Sequence, residues 1–125
     1  MKNRKTFTTL LAVCLTTVVL AHSLASFNWI ETTHDFGKIQ KGTPVTASFE
    51  FTNKGSEPLI ISNATGSCGC TGVDYPKEAI LPNQKGVIQA TFSAAATGPF
   101  AKSVTVESNA ASGIVVLHIQ GEVVE

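Results

Sequence analysis

The chain has 125 residues, 43% hydrophobic and 14% charged, with nine basic against nine acidic side chains, a length that fits one domain. The balance hides an asymmetry: Lys2, Arg4 and Lys5 crowd the start, and beyond them stand six lysines, no arginine and all nine acids, a net charge of −3. A mildly acidic domain without arginine lacks the electrostatic footprint for a phosphate backbone, which argues against a nucleic-acid partner.

Residues 1–25 read as a secretory signal peptide: a basic start, an apolar run from about Phe7 to Ala21, then small residues at Ser23 and Ala25. Cleavage after Ala25 is expected, leaving residues 26–125 as the domain; cleavage after Ser23 competes. A retained anchor is the rival reading, but the run is interrupted by Thr8, Thr9, Thr16 and Thr17 and falls short of the ~20 residues needed to span a bilayer. Lipidation at Cys14 is a minor alternative, because bulky Val13 precedes it. The expected location is therefore periplasmic, cell-envelope or extracellular, with membrane contact only through this segment before cleavage.

Beyond it the apolar residues alternate with polar ones, as half-buried strands require. In chain order the pieces are residues 27–30; Val45, Ala47, Phe49 and Phe51 set against Thr46, Ser48, Glu50 and Thr52; residues 59–62; Ile88, Ala90 and Phe92; Phe100, Lys102, Val104 and Val106 set against Ser103, Thr105 and Glu107; and Val115, Leu117 and Ile119. Residues 114–117 are apolar on both faces, which suggests a strand that is central or covered on both sides. Turn residues separate these pieces at Gly37, Lys41-Gly42, Asn53-Lys54-Gly55, Pro82-Asn83, Gly98-Pro99 and 109–113. Such spacing predicts an antiparallel β-sandwich. Phe49, Phe51, Phe92, Val104, Val106, Leu117 and Ile119 are expected to share its core. About 100 residues can bury roughly two-thirds of the unfolded surface, so no disulfide framework is needed. Asn53-Lys54-Gly55 is expected to supply the positive φ of a turn, and Asp35 to bond its own backbone just before Gly37.

Several of these residues form a family pattern: His34-Asp35-Phe36-Gly37; Phe49-Glu50-Phe51-Thr52-Asn53 with Gly55 and Pro58-Leu59-Ile60-Ile61; Ser67-Cys68-Gly69-Cys70-Thr71; then Pro82, Gly86, Gly98-Pro99-Phe100 and Ser108-Asn109. The sequence resembles the bacterial family called domain of unknown function 1573, over about residues 28–124. Its most specific element is Cys-Gly-Cys-Thr. The resemblance implies an all-β, Ig-like sandwich of seven to eight strands, akin to Hydin and major-sperm-protein domains, with export and no established activity. Asn83 stands where the family often has Gly.

Candidate chemistry is sparse. His34 and His118 are the only imidazoles after the signal segment, and neither stands in a nucleophile-elbow context; no HExxH or phosphate-cradling glycine loop is present. His118 alternates with Ile114 and Val116, the less buried face. Cys68 and Cys70 remain, one glycine apart, as a possible disulfide or a thiol or metal site. Joined, they would close a tiny ring that staples poorly and is easily reduced. Reduced, they would suit Cu(I), whereas zinc would need His34 and His118 to converge on them. Only distant residues such as His34 or Lys77 could bring charge to the pair. The expected function is that of an exported, non-enzymatic module for protein interaction or envelope structure, with an unidentified protein partner and no cofactor; the alternative is a redox or copper-handling protein built on Cys68-Gly69-Cys70.

Overall fold

The computed structural model describes residues 24–125; all but the last two residues of the expected signal segment lie outside them. Eight strands are formed: β1 (Phe27–Trp29), β2 (Thr33–Gln40), β3 (Val45–Asn53), β4 (Ile61–Gly66), β5 (Thr71–Asp74), β6 (Lys85–Phe92), β7 (Gly98–Ser108) and β8 (Val115–Val124). They build two four-stranded sheets, ordered β1-β3-β6-β5 and β2-β8-β7-β4. This is the all-β, Ig-like sandwich expected, with eight strands.

The alternation decides which side chains meet. Phe49 and Phe51 of β3, Ile88, Ala90 and Phe92 of β6, Val104 and Val106 of β7, and Leu117, Ile119 and Val123 of β8 are all buried between the sheets, the arrangement that puts apolar faces inward and polar faces outward. Phe51 packs edge-on against Phe27 and Trp29, with ring centroids 4.9 and 5.1 Å away. Its partner across the ladder is Gly86, where a Cβ would lie 2.5 Å from Phe51 Cζ. That glycine makes room for the ring.

One pairing departs from the antiparallel expectation: β2 runs parallel to β8. Direction reverses four times between them, at the β2–β3 crossing, the β3/β6 pairing, the β6–β7 crossing and the β7/β8 hairpin, so the two strands point the same way. Strands β2 and β5 were not evident from alternation. Register shifts in β2 between Asp35 and Lys38, which breaks the two-residue period, and β5 has four residues. At the shift, Gly37 has φ +70° and its N–H donates to Asp35 Oδ1 at 2.8 Å, the local bond expected. Strand β8 is central in its sheet, as residues 114–117 suggested, but among the described residues nothing covers its outer face: Val116 is 41% exposed and Ile114, just before the strand, 62%.

Asn53 has a different role from the turn residue expected. Neither Asn53 nor Gly55 takes a positive φ. Asn53 is fully buried and its amide is a hub: Nδ2 donates to the carbonyls of Glu57 and Ile80, both at 2.9 Å, while Oδ1 accepts from Gly55 N at 2.9 Å and Ser26 N at 3.2 Å. All four hydrogen-bonding positions of the amide are filled. Gly55 is required by space, since a Cβ there would clash with the Leu24 carbonyl oxygen. Ala25 is also part of the packed body: it is 1% exposed and its carbonyl accepts from Ala111 N at 3.0 Å. Asn83, which stands for the family's glycine, has φ +71°, a left-handed conformation that asparagine tolerates better than most residues.

Candidate functional site

Strands β4 and β5 are edge strands of opposite sheets, so the Ser67–Cys70 link between them bridges the two layers along one side. Its entry is fixed by a reciprocal clamp: Ser67 N donates to Ser103 O at 2.8 Å, and Ser103 N donates to Ser67 Oγ at 3.1 Å. A tight turn follows, with Thr71 N donating to Cys68 O at 3.2 Å. Within it Cys68 and Cys70 are joined as a disulfide, with Cα atoms 5.3 Å apart. Cys70 N–H faces the Cys68 sulfur at 3.3 Å, and the Thr71 hydroxyl lies near both sulfurs, 3.8 Å from Cys68 Sγ and 4.0 Å from Cys70 Sγ. Gly69 has no positive φ, and a Cβ there would meet nothing within 4 Å outside its two chain neighbours. Both cysteines are half-buried.

Beside Cys70 lies a groove of about 230 Å³, lined by Cys70, Phe92, Ser93, Pro99, Phe100 and Lys102 among others. Phe92 and Phe100 stack with centroids 4.1 Å apart at 17° and form an aromatic floor where the inter-sheet core reaches the rim. The β6–β7 link makes the wall and is tied to the cysteine turn by Ser93 N donating to Cys70 O at 3.0 Å. It contains Ala94, fully buried with φ +56°, a conformation costing an alanine of order 1 kcal/mol. Lys102 is the basic residue at this groove. It was not among the residues suspected of approaching the pair. Lys77 instead lies over the Tyr75 ring, 3.7 Å from its centroid, and His34 is held by Glu31 at 3.3 Å and packs edge-on against Phe36.

The two histidines do not converge. Thr33 pairs with His118 and His34 with Ile119; adjacent strand residues face opposite sides, so His118 points outward while His34 shares the side of buried Ile119. The zinc arrangement they were to complete is therefore not assembled, and no cluster of three or more His, Cys, Asp or Glu residues occurs among the described residues. Copper chemistry would first require reduction, because a disulfide sulfur is no thiolate. A second concavity lies over β2 and β8, lined by Asp35, Lys38, Phe100, Gln120 and Glu122 among others. There Asp35 is held below the usual aspartate pKa, first by the Gly37 N–H and then by Gln120.

Comparison with known proteins adds the fold's relatives. A protein of unknown function from Porphyromonas gingivalis W83 is similar over 86% of this chain and 51% of its own, at 15% identity and TM-score 0.70. The ASH/PapD-like domain 7 of human CEP192 is similar over 98% of this chain and 99% of its own, at 10% identity and TM-score 0.69. The Vibrio cholerae VesB protease is similar over 78% of this chain but 32% of its own, at 16% identity and TM-score 0.66. The chain thus spans about half of the first of these proteins and about a third of the protease, and at such identities the likeness concerns fold alone. A search of curated protein sequences returned no match. Residues 27–123 match the family model described as protein of unknown function, DUF1573, and the chain belongs to that family.

Proposed function

We propose that the protein is an exported, non-enzymatic Ig-like module that contacts another protein in the cell envelope. The observation that carries this reading is a difference between the two outer sheet faces. On β3 and β6 the outward polar side chains satisfy one another, Thr46 with Thr91 at 2.9 Å, Gln89 with Ser48 at 3.4 Å and Lys85 with Glu50 at 3.9 Å, beside Val87, which is 38% exposed. On β8 the outward row begins with exposed Ile114 and Val116 and continues through His118 and Gln120, with Thr105 and Ser103 across the ladder. A face that sets exposed apolar residues beside hydroxyl and amide groups has the composition of a contact surface. Export is supported by the pattern of residues 1–25 and by the Cys68–Cys70 bond, since disulfides persist in oxidising compartments.

The test is co-purification from envelope extracts with Ile114→Lys, Val116→Lys and, as control on the other sheet, Ser48→Lys. The expected result is one partner retained by the wild type and by Ser48→Lys and lost by both β8 variants at unchanged melting temperature. Retention of the same partner by all four proteins, or recovery of none, would overturn the reading.

A further inference from the structure

We propose that the Cys68–Cys70 disulfide is a thiol–disulfide exchange site for a cysteine-bearing polypeptide, with the Phe92–Phe100 groove receiving the apolar residues that flank the incoming cysteine. Four observations converge on it. The disulfide closes a ring over a sequence separation of 2, and chain-entropy stabilisation falls as the closed loop shortens; such a bond adds little to a sandwich whose buried hydrophobic core contains neither cysteine. Both cysteines are half-buried, so the disulfide is reachable from solvent. Cys70 lines the groove and so presents the sulfur an incoming group would meet. The backbone donor is on the other sulfur: Cys70 N–H faces Cys68 Sγ at 3.3 Å, while the Thr71 hydroxyl stands near both sulfurs.

That asymmetry assigns the steps. A substrate thiolate, drawn to the groove by the Lys102 cation, attacks Cys70 Sγ. The new bond joins substrate sulfur to Cys70, the Cys68–Cys70 bond breaks, and its electron pair leaves on Cys68 as a thiolate, stabilised by the Cys70 N–H. A better-stabilised leaving thiolate departs faster. A second thiolate of the same substrate then attacks the mixed disulfide at the substrate's own sulfur, releasing Cys70. The substrate is oxidised to a disulfide by two electrons, and Cys68 and Cys70 become thiols after taking up two protons, the two the substrate thiols gave up. The aromatic floor and the Pro99 wall select a polypeptide over a small hydrophilic thiol.

The test uses the full chain, purified as expressed, and is independent of its location in the cell and of the β8 face. Reduction of the disulfide is followed by alkylation and mass analysis, with a dithiol peptide carrying aromatic neighbours, with glutathione, and on a free peptide of residues 65–73 oxidised between its cysteines. The expected results are reaction with the dithiol peptide at least about tenfold faster than with glutathione and than on the free peptide, a slowing of about threefold or more in Lys102→Met, and, from the reduced protein plus a peptide disulfide, a mixed disulfide that accumulates on Cys70 in Cys68→Ser but not on Cys68 in Cys70→Ser. Melting temperatures within a few degrees of wild type are required of each variant, and Lys102→Met, half-buried at the groove, serves if either cysteine variant misfolds. Equal rates for the protein and the free peptide, equal rates for the dithiol peptide and glutathione, or equal trapping by the two cysteine variants would overturn the proposal.

Discussion

Replacing Asn53 by alanine removes four hydrogen bonds at once. The bond from Nδ2 to Ile80 O is buried, and those to Glu57 O, Gly55 N and Ser26 N are partly buried. The Ile80 carbonyl keeps the bond it accepts from Leu59 N at 2.8 Å, so the buried bond is worth about 1–1.5 kcal/mol, and each partly buried bond about 0.5–1 kcal/mol once water partly replaces it. The expected loss is about 2.5–4.5 kcal/mol, a large share of the roughly 5–15 kcal/mol typical of a domain. Urea unfolding monitored by Trp29 fluorescence measures it. Asn109→Ala is the control: its side chain accepts from Ile60 N at 2.8 Å and donates to Pro58 O at 3.0 Å, both exposed bonds, so about 1 kcal/mol is expected. Asn53→Asp sharpens the test. It keeps the acceptor oxygen but sets a carboxylate against the carbonyls of Glu57 and Ile80, which raises its folded pKa; stability is then lost as pH rises through that value and regained on acidification, when the acid proton can donate. Equal losses for Asn53→Ala and Asn109→Ala, or an Asn53→Asp domain as stable as wild type at neutral pH, would refute the hub.

Phe51→Ala should cost about 3–5 kcal/mol, the range for truncating a buried aromatic, and outward Thr52→Ala under about 1 kcal/mol; equal effects by denaturant titration would mean the β3 register is wrong. A chain starting at Leu24, the product of cleavage after Ser23, should be more stable than one starting at Ser26 by about 2 kcal/mol, from the buried Ala25 methyl and its carbonyl bond to Ala111; identical melting curves would contradict this. Because the folded pKa of Asp35 is lowered, its contribution is present above the ordinary aspartate pKa and fades as pH falls through the lowered value. Carbon-detected NMR titration should find its midpoint below that of an unstructured aspartate, and Asp35→Asn should flatten the acid-side decline in stability; a midpoint at or above the ordinary value would contradict the assignment.

What alternation revealed and what it missed follow from burial. Strands β3, β6, β7 and β8 bury one face continuously, so Phe49, Phe51, Phe92, Val104, Val106, Leu117 and Ile119 announce a common core in the bare sequence. Strand β2 hides because its apolar Phe36 and Ile39 stand on either side of a register shift, and β5 because four residues at an edge show too little period. Local turn chemistry was legible at Asp35 and Gly37, whose bond spans two residues. It misled at Asn53, whose partners Ile80 and Ser26 each lie 27 residues away; an asparagine before Lys-Gly reads as a turn unless those distant backbone groups are known to converge. At the cysteines, spacing raised the possibility of a disulfide, but the groove beside Cys70 exists only because the β6–β7 link and Lys102 arrive from another part of the chain.

The contact face is tested most directly by a photo-crosslinking amino acid placed in growing cells at position 116 and, separately, at position 48. Both positions are on strands and point outward, so only the nature of their faces differs. The reading of β8 as a contact surface predicts a discrete crosslinked species from position 116, lost when Ile114→Lys is added, and none from position 48. Equal crosslinking from both sheets, or none from position 116 in protein shown to be folded and exported, would contradict it.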